Sequence, residues 1–520
     1  MKSAPPRSVL SALALALLLS PVSAPGYPLD GYEYTGVFRM EAQRLVQTGK
    51  AKGKKRPPGE LLPLDAVQLR LTKYPDFVLP PPDAGLTAKV KRLLGRDAKD
   101  YGIGLLDLSD MQKVRYAEFN GNKHQNPGSV GKILVALGLF QALADLYPDD
   151  IKARERILRD TVITADTFSV YDHHTVPKYD AASGRLHRAP IHEGDQASLW
   201  TYLDWMMSPS SNSAAAMIQK QLILMVAYGK QYPPSEEEQK RFFKETKKTE
   251  LAKLFESGIQ DPVTRNGLDL KNIRQGSFFT RQGKNKVPGT SSYATPRTLM
   301  QFMVKMEQGK LVDEWSSREI KRLMYITERR IRYASSWTLK QSAVYFKSGS
   351  LYSCEPEEGF SCKKYHGNKR NYMNSIALIE SPAGENKLFY MTAVLSNVLR
   401  KNSAQDHRDL ARAIQQQLMV DHPGSAPDKV NYGKNFIGYE EERRGVELAA
   451  QTQEALLALG YEIGDIDGQI GSKTRGAIKS FQKSQGISAD GKLSDPLLER
   501  MRKVAQQKGL VRPDVTTGSN

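Results

Sequence analysis

The sequence predicts an α/β fold in which one sheet takes strands from both ends of a long segment, with helices between them. A small all-helical unit follows. Three observations lead there. Strand-like apolar runs occur just after residue 101 and return only after residue 343. The stretch between them repeats apolar residues at helical spacing. A second set of helical patterns begins near residue 446, behind a Pro/Gly-containing segment.

The chain has 520 residues, and at about 100–200 residues per domain it accommodates several domains. Hydrophobic residues at 40% against 25% charged ones supply a core, which excludes a wholly disordered chain. No collagen-like period or repeated unit runs along it. Two cysteines are too few for a disulfide scaffold, and no CxxC or Cys/His cluster offers structural zinc. Lys+Arg 75 against Asp+Glu 57 gives +18, which favours an anionic partner without naming it.

Residues 1–24 read as a secretory signal: Lys2 and Arg7, an apolar run from Val9 to Leu19, then Val22-Ser23-Ala24. The run is short for a membrane span. Pro25 directly after the cut is unfavourable to cleavage, and no nearby cysteine allows lipid anchoring. No later stretch reads as an integral membrane segment, so the expected location is the periplasm or cell wall. In that oxidising space Cys354 and Cys362, flanking a polar Gly-containing segment, can close a small loop as a disulfide.

Residues 25–100 read as an N-terminal extension of loops and extended segments packing on the next domain, interrupted by the basic stretch 50–58 and by Pro80-Pro81-Pro82. The main domain spans 101–421. Residues 102–108 and 114–119 read as strands. After Asn126-Pro127-Gly128, the apolar stripe Ile133, Leu137, Phe140 and Ala144 starts a helix right behind Ser129. Further helical patterns lie near 198–207, 213–228, 235–256, 296–309 and 317–332. Strands return at 343–347, 373–379 and 388–395, and a helix at 407–419 closes the unit. A linker is expected over 422–445, a compact helical unit over 446–505 and a tail over 506–520.

Three short motifs carry the candidate chemistry. In Ser129-Val130-Gly131-Lys132, positions i and i+3 share a helical face, so the amine can reach the hydroxyl. Serine is a weak nucleophile until a neighbour takes its proton. Lysine can take it only if burial or nearby cations leave the amine neutral. A helix N-terminus also offers an N–H to a developing oxyanion. In Ser210-Ser211-Asn212, the first hydroxyl can relay a proton to a leaving group and the amide can hold a substrate carbonyl. In Lys347-Ser348-Gly349, lysine and hydroxyl can bind a carboxylate, while Gly349 admits a close backbone. The Ser350 N–H would be a second oxyanion donor.

In this order and spacing the motifs resemble the SxxK, SxN and K-[ST]-G set of the penicillin-recognising serine enzymes, which include class A β-lactamases and D,D-peptidases. The resemblance covers about residues 100–420 and includes Ala294-Thr295-Pro296 ahead of a helix. It implies a three-layer sandwich, an antiparallel sheet with helices on both faces. It also implies that Ser129 attacks, Lys132 is the base and Ser210 returns the proton. Asn212, Lys347, Ser348, Gly349 and Ser350 would bind substrate, with β-lactams as ligands and no metal or organic cofactor.

Two departures matter. Class A enzymes carry a water-activating glutamate shortly before the Thr-Pro pair. Here none occurs between Glu256 and Glu307, and Phe278-Phe279 falls near that place, with Asp261 and Asp269 as possible substitutes. Ser211 also stands where class A enzymes usually have aspartate. An acyl-enzyme lacking that carboxylate should persist. This favours a D,D-peptidase-like or other acyl hydrolase over an efficient β-lactamase. The expected substrate is a peptidoglycan stem peptide; a class A-like β-lactamase with altered deacylation, a β-lactamase-fold esterase and a non-catalytic wall-binding protein are the alternatives.

The tail sharpens that expectation. Gln453 to Tyr461 reads as a helix ending at Gly460, and a turn-rich loop with Gly468 and Gly471 follows. A second helix carries Thr474, Ala477, Ile478, Phe481 and Gln482, with Gly486 and Asp490-Gly491 beyond. This unit resembles the three-helix peptidoglycan-binding domain of cell-wall hydrolases, which implies peptidoglycan as partner. The remaining features read as ordinary. His173-His174, His187 and His192 lack metal-site spacing and are expected on a solvated loop. The basic residues 50–56 lack aromatic interleaving, so no nucleic acid is expected. Trp200 and Trp205 read as packing residues.

Overall fold

The computed structural model describes residues 37, 39–53, 55–170, 172–180, 183–328, 330–425, 439–464, 466 and 470–510, with side chains from 448 onward in the last helical unit. The signal-like segment, residues 426–438 of the expected linker and Gly468 lie outside the described residues. In chain order the elements are α1 (Arg39–Gln47), α2 (Ala84–Leu94), β1 (Tyr101–Asp107), β2 (Arg115–Phe119), α3 (Lys132–Leu146), α4 (Ile151–Asp160), β3 (Val162–Thr164), β4 (Val176–Asp180), β5 (Arg185–Ala189), β6 (Gln196–Ser198) and α5 (Leu199–Met207). Then come α6 (Asn212–Tyr228), α7 (Glu236–Glu245), α8 (Lys248–Ile259), α9 (Asp261–Arg265), β7 (Ile273–Arg274), α10 (Arg281–Lys286), β8 (Tyr293–Ala294), α11 (Pro296–Glu307) and α12 (Glu314–Tyr325). The domain ends with β9 (Ala343–Ser353), β10 (Arg370–Ser381), β11 (Leu388–Asn397) and α13 (Ser403–Asp421); the tail unit is α14 (Tyr439–Ala458), α15 (Ser472–Ser484) and α16 (Asp495–Gln507).

The main sheet is antiparallel throughout, in the order β2-β1-β11-β10-β9. Strands from both ends of the domain share it, as the sequence predicts. Successive side chains of a strand point to opposite faces, and both faces here are covered. On β10, Ile376 and Leu378 enter the core shared with α3, α5 and α6, while Ala377 and Ile379 enter the one shared with α2 and α13. These are the three layers.

Several elements differ from expectation. Among the described residues, the segment 25–100 contains the α-helices α1 and α2. Asp83 caps α2 by accepting from Leu86 N at 2.5 Å, Leu86, Val90, Leu93 and Leu94 form its buried stripe, and Gly95 ends it at φ +60°. The Pro80-Pro81-Pro82 run masks that pattern in the sequence. Met40, Val67 and Leu71 also join the main core, so this segment is part of the domain's interior. The pattern at 235–256 is two helices broken at Thr246 and Lys247. That at 317–332 starts earlier, capped by Asp313, and stops at Tyr325. The histidine-rich stretch holds the hairpin β4–β5, not only loop. Residues 128–146 are, by length and composition, apolar enough to cross a membrane, contrary to expectation; they are mostly buried as the central core helix, which accounts for their apolarity.

Trp200 and Trp205 are buried, and Trp205 donates to the Pro177 carbonyl at 3.0 Å. In the tail unit Leu456, Ile463, Ile478, Phe481, Leu498 and Met501 form a separate core. Its first helix begins at Tyr439, inside the expected linker. Gln482 and Asp490 tie its last turn together: Gln482 Nε2 donates to Asp490 Oδ1 at 2.7 Å, and Gly491 N donates to Gln482 Oε1 at 2.8 Å.

Candidate active site

The turn before Ser129 is pinned to the sheet. Asn374 Nδ2 donates to the Asn126 carbonyl at 3.0 Å, and Gln125 Nε2 donates to Asn374 Oδ1 at 2.7 Å. Gly128 takes φ +54°, and a tight 3-10 turn over Gly128–Gly131 runs into α3. With three residues per turn, i and i+3 are eclipsed, so Lys132 stands directly over Ser129. Its Nζ lies 3.1 Å from Ser129 Oγ.

The same amine reaches the second motif. Lys132 Nζ lies 2.5 Å from the Ser210 carbonyl oxygen, 2.8 Å from Asn212 Oδ1 and 3.3 Å from Ser210 Oγ. The carbonyl and the amide oxygen only accept hydrogen bonds. They take two N–H groups of the amine, which leaves the lone pair of a neutral amine for a serine hydroxyl. Ser210 itself sits at φ +67°, a left-handed conformation unusual for a side-chain-bearing residue. Ser211 Oγ caps α6 by accepting from Ala214 N at 3.1 Å.

The third motif lies on the edge strand β9. Lys347 Nζ donates to Ser210 Oγ at 2.7 Å, so this hydroxyl lies between two buried lysines. A Cβ on Gly349 would stand 2.3 Å from the Pro127 carbonyl and 2.5 Å from Ser129 N; one on Gly128 would stand 3.3 Å from Ser350 N. The backbone at 349–350 therefore lies flush against the serine turn. The Ser129 and Ser350 amides border the same seam.

Electrostatics follow from burial. Desolvation, opposed by the Asp172 charge and reinforced by Arg332, brings the Lys132 amine down to about 7. Lys347 is pushed well below the usual lysine range by burial, then by the charges of Lys132 and Arg332. Such shifts cluster at reactive sites.

Sequence reasoning missed two charged residues here. Arg332, at φ +53°, donates from Nη1 to Ser348 Oγ at 2.8 Å and from Nη2 to Ser350 Oγ at 3.0 Å and Tyr365 Oη at 3.1 Å. Asp172 lies beneath the second motif and accepts from Ser211 Oγ at 2.8 Å. His173 is exposed, but His174 is partly buried and its Nδ1 lies 2.5 Å from Asp172 Oδ1. Asp172, His173 and His174 bring three ligand atoms within 4.8 Å of one another. Both Asp172 oxygens accept hydrogen bonds from protein groups, so Asp172 and His174 form a clamp beneath the second motif.

Phe279 places its ring centroid 4.8 Å from Lys132 Nζ, and Phe278 is buried against Phe168 and Phe255. Asp269 binds Lys271 N and Asn272 Nδ2, and Asp261 opens the short α9. The carboxylate whose charge reaches Lys132 is that of Asp172. Cys354 and Cys362 form a disulfide just beyond β9, on the connection that carries Tyr365 back to Arg332.

Residues 85–417 match the model of the Beta-lactamase enzyme family, and residues 447–501 match that of a putative peptidoglycan binding domain. No curated protein matches the sequence. Similar solved structures include the TLA-3 extended-spectrum beta-lactamase, 14% identical over 64% of this chain and 98% of that one with a TM-score of 0.43. PBP-A is 15% identical over 66% and 99%, with a TM-score of 0.39. A beta-lactamase from Chitinophaga pinensis is 16% identical over 64% and 98%, with a TM-score of 0.40. Since the first match spans more than half of its length, the chain belongs to the Beta-lactamase enzyme family, with a peptidoglycan-binding domain joined behind it.

Proposed function

We propose that the protein is an exported serine acyl hydrolase that acts through an acyl-enzyme on peptidoglycan stem peptides, held at the wall by its C-terminal domain. The observation that carries this reading is the hydrogen-bonded chain Ser129–Lys132–Ser210–Lys347 in a protein that also has a peptidoglycan-binding domain. In it, Ser129 attacks the carbonyl of a D-Ala-D-Ala end, and neutral Lys132 takes its proton. Ser210 relays that proton from Lys132 to the leaving amine, Asn212 orients the substrate, the Ser129 and Ser350 amides receive the oxyanion, and water then cleaves the Ser129 ester to restore the hydroxyl. Lys347 and Ser348 bind the terminal carboxylate, and Arg332, held by the Ser348 and Ser350 hydroxyls, supplies a cation there. No metal or organic cofactor enters this chemistry.

A β-lactamase activity is the second reading, favoured by the family match. Against it stands Phe279, an aromatic face over Lys132 that cannot activate water. The test is incubation with pentapeptide-bearing wall fragments and with a chromogenic cephalosporin. Release of D-alanine with little cephalosporin turnover supports the peptidase; rapid cephalosporin turnover without D-alanine release contradicts it. Gly349→Ala should lower the acylation rate about 10²–10³-fold, because the new methyl overlaps the Pro127 carbonyl and pushes one oxyanion donor away. Stopped-flow acylation by a fluorescent penicillin checks this.

A further inference from the structure

The SxN motif here lacks a carboxylate at its centre, where Ser211 stands, yet a carboxylate is present in space. The Asp172 side chain is 2% exposed. Its Oδ2 accepts from Ser211 Oγ at 2.8 Å, Asn212 N at 2.7 Å and Ser213 N at 3.0 Å. Its Oδ1 accepts from His174 N at 3.2 Å and faces His174 Nδ1. These bonds grip the backbone that carries Asn212 and follows the left-handed Ser210, the two residues that surround Lys132 Nζ. We propose that Asp172 is a positioning residue of this site, holding Ser210 and Asn212 around Lys132 and keeping a negative charge beside that amine. The inference rests on the acyl-transfer reading above and deepens it.

The charge has consequences that simple bracing lacks. Burial alone would raise the Asp172 carboxyl, but the hydrogen bond from His174, the charge His174 carries when protonated, and hydrogen bonds from the Ser213 amide and Ser211 outweigh it and hold the carboxyl well below the usual range. Asp172 therefore stays ionised where the enzyme works. The charges that act on Lys132 are Asp172, which favours its protonated form, and Arg332, which disfavours it; the Lys132 charge in turn helps to lower Lys347. His174, beside Asp172 and neighboured by His173, is itself held below the usual histidine value by burial, so its neutral ring leaves the Asp172 charge uncancelled near neutral pH. Removing the Asp172 charge lets Lys132 lose its proton at lower pH.

The test compares wild type, Asp172→Asn and Asp172→Glu, full chain, with folded fraction fixed by thermal unfolding. One readout is the pH profile of acylation by a fluorescent penicillin. The other is direct titration of Lys132 by ¹³Cε NMR, identified by its loss in Lys132→Arg. For Asp172→Asn the expected result is acylation slower by about 10–100-fold per folded molecule at the plateau, with both the acid limb and the Lys132 titration moved to lower pH. Asp172→Glu should be slowed but keep the wild-type limb. Unchanged rate and titration in Asp172→Asn would overturn the proposal while leaving the acyl-transfer reading intact. If wild type is not acylated, that reading fails, and an unmoved Lys132 titration in Asp172→Asn still overturns the charge effect. Should Asp172→Asn not fold, a displaced titration in Asp172→Glu, despite its retained charge, counts against the proposal.

Discussion

Lys132→Ala should slow acylation of Ser129 by about 10²–10⁴-fold, the usual contribution of a positioned general base. The expectation follows from what surrounds the amine. It is fully buried, touches both serine hydroxyls and spends two hydrogens on acceptor-only oxygens. Burial brings it down to about 7. The sign is then fixed: the amine is protonated and inert below that value, and neutral and able to accept a proton above it. Acylation in wild type should rise from pH 5 to pH 8 with its midpoint near 7. Lys132→Arg keeps a cation that cannot deprotonate, so it should be slow at every pH. Stopped-flow acylation across pH checks all three proteins; a pH-independent Lys132→Ala running at the wild-type rate would contradict the base assignment.

Asp204→Ala should destabilise the fold by about 3–5 kcal/mol, the cost of breaking a buried ion pair. Arg39 on α1 donates from Nε to Asp204 Oδ2 at 2.7 Å and from Nη2 to Asp204 Oδ1 at 2.6 Å, with neither side chain more than 5% exposed. The guanidinium also reaches the Ile326 carbonyl at 2.7 Å. Removing the carboxylate leaves the guanidinium's charge in the core without its Asp204 partner. The double variant Arg39→Met with Asp204→Leu removes both charges, and it should recover most of the loss. Urea unfolding of the singles and the double gives the answer. Comparable losses in the double and in Asp204→Ala would show that packing, not charge, sets the effect.

The sequence made the sheet and the three motifs legible because their signals are local. An i,i+3 spacing puts Ser129 and Lys132 together, and apolar runs mark β1, β9, β10 and β11. The tail domain was legible through its pattern of turns and packing residues. Arg332 and Asp172 were not, because their meaning comes from contacts between distant parts of the chain. Arg332 matters only after a left-handed turn swings it onto Ser348 and Ser350. Asp172 is about forty positions from the helix start it grips, and two neighbouring histidines offered a more familiar pattern to weigh. The aromatic pair Phe278-Phe279 shows in the sequence as a gap in the carboxylate pattern; that the Phe279 ring lies over Lys132 is visible only in three dimensions. Helix α2 was lost for a different reason, since three prolines sit just ahead of an otherwise clear cap and stripe.

The central claim is that Ser129 forms an acyl-enzyme that deacylates slowly. Intact-protein mass spectrometry after incubation with a fluorescent penicillin, comparing wild type with Ser129→Ala, tests it most directly. The account predicts a stable adduct of one penicillin on wild type and none on Ser129→Ala. An adduct of equal extent on both, or consumption of the drug by wild type with no adduct trapped, would contradict it.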